Sequence, residues 1–387
     1  MNNSNSDENK RFRMTRVRPV IIATVLIAVM LTLSAGCADL FEDTEIYPKI
    51  ETDGTGGYVP VSYSFNFQDR TVKLTVPVDK AVYAAAYDAD KQAYLYQETI
   101  SDDTWTDPYY RSFIDDESLT PLYDAILTEM RKIKSELSLD ADSYAELIIA
   151  YVQSMPYSTN SVRSEPKFPI ETVYERKGDC DDKSLLAAAL LSREGYDVAL
   201  LLFDDESHMA LGIRLPPEKS HLSYANTGYA YVETTIGHYV GWPDITLDDD
   251  TEITSNPHLT KIGNGTLTYR SMNEIEGIYA AYKKCDDVTD SLLPRIEAKE
   301  RELDGMESRL TSMEATARRL KTQNVAEYNR LVPEYNALVN RYNAASTELD
   351  GYISRYNYAV GLSEYIAKHT YDRQGVYEKV RRAGNIY

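Results

Sequence analysis

The stretch that most constrains this chain runs Gly178-Asp179-Cys180-Asp181-Asp182-Lys183-Ser184-Leu185-Leu186-Ala187-Ala188-Ala189-Leu190-Leu191. An acidic turn leads into an apolar, alanine-rich helix, and Cys180 sits at the junction. At a helix N-terminus the unpaired backbone N–H groups and the macrodipole favour an anion, a thiolate included. The pattern predicts a helix from Cys180 to Glu194, ended by Gly195 in the position just past the last turn. The rest of the chain builds this neighbourhood, carries it to a membrane or extends away from it.

The strands expected after that helix supply the other groups a thiol needs. Asp197 to Phe203 reads as a buried strand. In the next, Met209, Leu211 and Ile213 alternate with His208, Ala210 and Gly212, and Tyr229 to Thr235 makes a third. A thiol with a pKa of about 8.5 is only partly ionised at neutral pH and needs a base. His208 is placed to take the proton, and Glu233 to hold the other imidazole nitrogen, as in the general triad logic. Ala210 and Gly212, on the His208 face, are small enough to leave room for a substrate backbone.

The chain has 387 residues and a formal net charge of −20, so it lacks the basic footprint that nucleic acid requires. Its 32 tyrosines against 7 phenylalanines suggest many rings at half-exposed or interfacial positions. The three cysteines, Cys37, Cys180 and Cys285, lie far apart, with no CxxC or Cys/His zinc spacing. A Cys180–Cys285 disulfide would silence the nucleophile, so Cys180 is expected unpaired. His221, His238, His258 and His369 fit no metal-ligand spacing and read as surface or loop residues. Asp244 and Asp248-Asp249-Asp250 lack the Gly and terminal Glu of a known calcium loop and read as a solvated acidic turn. No metal, nucleotide or other cofactor site is evident.

The N-terminus reads as a membrane-targeting segment. Lys10, Arg11, Arg13, Arg16 and Arg18 precede an uncharged run from Val20 to Leu33, followed by Leu33-Ser34-Ala35-Gly36-Cys37. A basic region, an apolar region and small residues before a cleavage point define a secretory signal. Small residues directly before a cysteine resemble a lipobox, which would make Cys37 the lipidated first residue of the mature chain. The alternative is an uncleaved signal anchor, although the run is short of the ~20 residues of a spanning helix. Either way the remainder lies outside the cytoplasm, anchored to the membrane, because the positive charges stay inside.

Residues 37–57 form an acidic, glycine-rich tether, and 58–117 a β-hairpin and loop region. Tyr58 to Phe67 and Thr71 to Val78 alternate with period two around the turn Gln68-Asp69-Arg70. Residues 79–98 suggest a short helix, and 99–117 a polar loop with Trp105 and Pro108. Helices follow, one with Leu122, Ile126, Met130 and Ile133 on one face and one from about Asp142 to Met155. Helices followed by antiparallel strands give an α+β architecture. From about Asp286 the pattern changes. Leu303, Met306, Leu310, Met313, Ala317 and Leu320 step by three and four, as do Tyr328, Leu331, Tyr335, Leu338, Tyr342, Ala345 and Leu349. This is long helix with a coiled-coil seam, whose phase slips between Leu320 and Tyr328 and which Pro333 should kink. It is either a hairpin packed on itself or a stalk through which the chain associates with itself or a partner.

Gly178-Asp179-Cys180-Asp181-Asp182, His208-Met209-Ala210 and Tyr231-Val232-Glu233-Thr234-Thr235 together resemble the transglutaminase-like cysteine hydrolase superfamily, in its prokaryotic extracytoplasmic branch. Tyr151-Val152-Gln153-Ser154-Met155-Pro156-Tyr157, Phe168-Pro169-Ile170-Glu171-Thr172 and Gly195-Tyr196-Asp197-Val198 are similar to that branch's flanking text. The resemblance implies a papain-like core of helices on an antiparallel sheet. It also implies Cys180 as nucleophile, His208 as base and Glu233 as orienting acid, where many members carry Asp. By the same likeness Gln153 would supply an oxyanion-hole amide beside the Cys180 backbone N–H. The expected outcome is a cysteine protease, amidase or transglutaminase-type acyl transferase acting on peptide or protein substrates. The expected domains are a signal segment at 1–36, a catalytic domain at 118–260, a connector at 261–285 and a helical region at 286–387. A non-catalytic envelope protein, docking partners through its helical region, is the competing expectation.

Overall fold

The computed structural model describes residues 46–384 apart from 55, 96–100, 160–164 and 248–250. The signal segment, Cys37, the tether up to residue 45 and Asp248-Asp249-Asp250 lie outside the described residues.

The chain opens with β1 (Tyr58–Phe67) and β2 (Arg70–Asp79), then α1 (Lys80–Asp88), α2 (Asp102–Asp115), α3 (Thr120–Leu137), α4 (Ala141–Gln153) and α5 (Pro169–Glu175). It continues through α6 (Cys180–Arg193), β3 (Val198–Phe203), β4 (His208–Arg214), β5 (Tyr229–Val232) and β6 (His258–Ile262). It ends with α7 (Met272–Gln323), α8 (Val325–Lys368) and α9 (Arg373–Ala383). The fold is α+β, with two antiparallel sheets. One is the β1–β2 hairpin and the other has the order β5-β4-β3-β6.

Leu185 to Leu191 are fully buried, as a helix with no polar face must be. Val198, Leu200, Leu202, Met209, Leu211 and Ile213, from one face of the four-stranded sheet, share its core. The opposite side of α6 meets α2, α3, α4 and α5. Alternate residues of the β1–β2 hairpin, Val61, Tyr63, Phe65, Val72, Leu74 and Val76, complete that same core. The hairpin is therefore part of the globular body and not a separate region.

Three local expectations change. The stretch 99–117, read as loop, contains α2 with Pro108 inside it. Pro108 forfeits one helical hydrogen bond, a cost of ~3 kcal/mol. Burying Tyr109, Tyr110, Phe113 and Ile114 more than offsets this, at roughly 1.5–3 kcal/mol per large apolar side chain. The short α5 follows Phe168, where the sequence suggested only loop, and β6 adds a fourth strand. Finally, α7 begins at Met272, so the supposed connector 261–285 is largely helix.

The long helices form an antiparallel hairpin. Leu303 and Met306 of α7 pack with Leu338 and Ala345 of α8. The phase slip between Leu320 and Tyr328 is the turn itself. Asn324 leaves helical geometry (φ −157°, ψ 88°), and its side chain accepts the Glu327 N–H at 3.2 Å to cap α8. Pro333 lies inside α8 without ending it. At the base, Ile275, Ile278, Cys285, Ala359, Leu362, Ile366 and Val376 join Tyr239 and Trp242 of the body.

Candidate active site

The acidic turn before α6 is built for close approach. Asp179 caps the helix by accepting the Asp182 N–H at 3.2 Å, and Asp182 returns the bond to the Asp179 N–H at 3.3 Å. A Cβ on Gly178 would lie 2.6 Å from the Asp182 Cβ, so only glycine fits. Asp182 is buried and also accepts the Lys167 main-chain N–H at 2.7 Å and pairs with its ammonium at 3.1 Å. These bonds fix Cys180 as the first helical residue. Its N–H has no hydrogen-bond acceptor among the described residues, as the first N–H groups of a helix normally lack one.

The place of the sulfur is set by where β5 stops. Leu211 pairs with Val232, and continuing that register would bring Met209 opposite Thr234. Instead the chain leaves the sheet after Val232, shorter than the expected strand to Thr235, and the first turn of α6 fills the gap. The Met209 main chain faces the Cys180 sulfur and lowers its pKa somewhat, and the Met209 carbonyl accepts from Ser184 Oγ at 3.2 Å. Ser184 Oγ also lies 2.9 Å from Thr234 Oγ1. The thiol thus sits against the start of β4, at the residue that follows His208 in the chain.

His208, Tyr231 and Glu233 form a buried chain. His208 Nε2 is 3.2 Å from Glu233 Oε2 and 3.1 Å from the Tyr231 hydroxyl, which donates to the same Glu233 oxygen at 2.7 Å. The other Glu233 oxygen accepts the Thr235 N–H at 2.7 Å and its hydroxyl at 2.6 Å. A tyrosine that gives its only proton to Glu233 can only accept from the imidazole, so the Nε2 proton is shared between Tyr231 and Glu233. That leaves Nδ1 as the nitrogen able to accept a thiol proton. The structure brings His208 and Glu233 together, while the Cys180 sulfur bonds Asp181 Oδ1 and has no hydrogen bond to His208 among the described residues.

Burial works against an ionised Glu233, but the bonds from His208, Thr235 and Tyr231 hold its carboxyl down to about 2. The thiol goes the other way. Burial, then Asp181 and Asp179, push Cys180 well above the ordinary thiol range, and the Met209 main chain only partly opposes them. Burial first, and then the two carboxylates, thus oppose the stabilisation that the helix start offers a thiolate. Burial and then Asp182 raise Asp181 to about 6; burial, Asp182 and Asp181 raise Asp179 to about 7. The sulfur lies 3.5 Å from Asp181 Oδ1.

Gln153 has another task than the one expected. Its amide donates to the main-chain carbonyls of Glu233 at 2.7 Å and His238 at 3.0 Å, so both protons are used in tying α4 to the Glu233 loop. An oxyanion role would require breaking one of these bonds. Lys183, fully buried, reinforces the loop. Its ammonium donates to the carbonyls of Met155 at 2.7 Å and Thr235 at 2.8 Å, while burial lowers its pKa to about 8. The room expected over Ala210 and Gly212 is occupied. A Cβ on Gly212 would be 2.9 Å from Tyr229 Cβ, and Ala210 packs with Leu201, Phe203, Tyr231 and Ile253. His238 lies in the loop after Glu233, as expected of a surface or loop residue, half-buried, with its pKa lowered by burial.

Sequence reasoning missed Tyr231, Lys183 and Tyr110. Tyr231 was legible in principle, since residues two apart on a strand share a face. Tyr110 was hidden in the stretch read as loop; it lies in the electrostatic field of Cys180, Asp181 and Asp204. Cys180 and Cys285 are both free, and Cys285 is buried in the separate cluster at the hairpin base. Asp244 pairs with Tyr279 and Lys283 of α7. Among the described residues no group of His, Cys, Asp and Glu converges as a metal site.

Comparison of the chain with protein-family models, with curated proteins and with solved structures returns no match. Among the described residues no helix is long and apolar enough to cross a membrane.

Proposed function

We propose that the protein is a cysteine hydrolase or acyl transferase acting on amide bonds, with a papain-like core of the transglutaminase-like type. The observation that supports this reading is the Glu233–Tyr231–His208 chain, which commits Nε2 as donor and leaves Nδ1 free to serve as base for the thiol at the start of α6. His208 Nδ1 takes the Cys180 proton as the sulfur attacks the amide carbon. The Cys180 N–H stabilises the oxyanion. Collapse passes the proton from Nδ1 to the leaving amine and leaves a thioester. Water resolves it to an acid, giving cleavage or deamidation, or a second amine resolves it to a new amide.

The raised thiol pKa makes this a general-base mechanism, in which the thiol is neutral until substrate arrives. The same reading carries the enzyme on the membrane, facing outside the cytoplasm, through the segment ending at Cys37. A non-catalytic binding protein is the competing reading, because burial, and then Asp181 and Asp179, oppose ionisation of the very group that should react. Mass spectrometry of a peptide library incubated with the wild type and with Cys180→Ser decides between them. Cleavage, deamidation or amine incorporation that requires Cys180 is the expected result. Identical spectra for the two proteins would sink the enzyme.

A further inference from the structure

The loop that carries Glu233 is held from two sides. Glu233 leaves the sheet directly after β5, and the chain turns back so that the Gly241 N–H donates to the Tyr231 carbonyl at 2.7 Å. The body grips this loop through Gln153 and Lys183, which donate to the carbonyls of Glu233, His238 and Thr235. The base of the α7–α8 hairpin grips it from the other side. The buried Tyr239 hydroxyl donates to the carbonyls of Ile366 at 2.9 Å and His369 at 3.3 Å, where α8 ends and its last carbonyls lack helical partners. The Tyr239 ring stacks on Trp242 with centroids 5.3 Å apart, and Trp242 meets Tyr279 and Tyr282 of α7 edge-on at 5.2 Å and 5.7 Å. The fit is close at the backbone as well. A Cβ on Gly241, at φ +73°, would lie 2.5 Å from the Met272 sulfur at the start of α7, and one on Gly237 would lie 3.1 Å from Thr370 Oγ1, just past α8. Thr235, whose N–H and hydroxyl fix one Glu233 oxygen, belongs to this loop, and Tyr231, whose hydroxyl fixes the other, is tied to it through Gly241.

We propose that Tyr239 is a positioning residue for the reaction, through which the base of the α7–α8 hairpin sets the Glu233 carboxylate and with it the His208 imidazole. The proposal rests on His208 being the base for Cys180. Tyr239 has no hydrogen bond to Cys180, His208 or Glu233 among the described residues; it acts by clamping the loop to the end of α8. With the hydroxyl gone, Gln153 and Lys183 still hold the near side of the loop, but its far side is free to lift from Ile366 and Thr370. The Glu233 carboxylate then loses the fixed position that an orienting group needs. A displacement of the hairpin base reaches the site along the same path.

The test is a double-mutant cycle on the full chain, read as the rate at which iodoacetamide alkylates Cys180 at neutral pH. Tyr239→Phe removes the hydroxyl and keeps the ring that stacks on Trp242. It is made alone and together with His208→Ala, and thermal melting shows that each protein is folded. The expected result is a fall of about fivefold or more when His208 is present, part of the ~100-fold that a positioned base contributes, and less than about twofold when it is absent. Trp242→Phe, which gives up contact with Tyr279 and Tyr282, should repeat the pattern at a smaller step and serves as a second variant. A wild-type rate in Tyr239→Phe, while His208→Ala is slow, overturns the proposal and leaves the base reading standing. Equal slowing with and without His208 also overturns it, because general loosening of the fold does not depend on the imidazole. A wild-type rate in His208→Ala itself sinks the base reading and this proposal with it.

Discussion

Leu185 to Leu191 and Leu303 to Leu349 are both helical runs built on leucine, yet they are buried in different ways. In α6 every residue of the run is enclosed, by the sheet on one side and by α2, α4 and α5 on the other. Between Leu303 and Leu349 only Leu303, Met306, Leu338 and Ala345 are buried, while Leu310, Met313, Tyr342 and Leu349 are half covered. Polar links such as Lys299 with Glu302 and Glu348, and Tyr335 with Glu314, do the rest at the surface. A helix that positions a nucleophile has to be rigid, and full enclosure provides that. A two-helix arm with a wet seam is a projection joined to the body at its base.

That difference makes graded predictions. Leu186→Ala should destabilise the body by about 4 kcal/mol, the usual range for a fully buried leucine. Leu310→Ala in the half-covered seam should cost about 1 kcal/mol or less. Equal shifts in denaturant midpoint for the two would erase the contrast. Arg373→Ala tests the joint. Arg373 is buried between Glu146 at 2.6 Å and Glu274, tying α9 to α4 and α7. Removing it should cost about 3 kcal/mol, because it strands buried carboxylate charge. Limited proteolysis should then cut first around residues 365–375; an unchanged cleavage pattern would argue that the arm is held some other way.

Two carboxylates in the site should give opposite pH slopes. Burial and then Asp182 raise Asp181 to about 6, whereas an unfolded aspartate titrates at about 3.9. Its contribution is therefore intact below pH ~4 and lost as pH rises through about 6. Asp181→Asn should stabilise the protein by about 1 kcal/mol at pH 8, discounted for partial solvent access, and not at pH 4. Glu233, held down to about 2 against the effect of burial, contributes above pH ~4.3 and loses that as pH falls through 2. Glu233→Gln should therefore destabilise at neutral pH, and matching slopes for the two variants in thermal melts would refute the assignment. The smallest effect belongs to the arm's far end. Replacing residues 303–345 by a short glycine-serine linker should leave the body's melting midpoint and the Cys180 reaction rate unchanged. A loss of either would mean that the distal arm supports the site.

Much of this was legible in the chain. The Cys180 helix, the alternation of β1, β2 and β4 and the buried run of β3 all follow from local pattern, and the structure has those elements. The parts that were not legible depend on tertiary packing. A polar stretch with Pro108 becomes α2 because four large side chains find α6 beneath them. The thiol's environment depends on β5 ending at Val232, which no periodicity in Tyr229 to Thr235 announces. The slip in the heptads was visible, but its meaning as a turn needed Asn324 seen as a cap. The Gln153 amide could not be known to be occupied until the Glu233 loop was seen to fold over it.

The central claim is that His208, oriented through Nε2 by Glu233 and Tyr231, is the base for Cys180. The most direct measurement is the rate at which iodoacetamide alkylates Cys180 at about pH 7, in the wild type and in His208→Ala, with Cys285 as an internal buried control. The account predicts a fall of about a hundredfold or more in the variant, the lower end of what a positioned base contributes. Equal rates in the two proteins, both matching a free thiol, would contradict it.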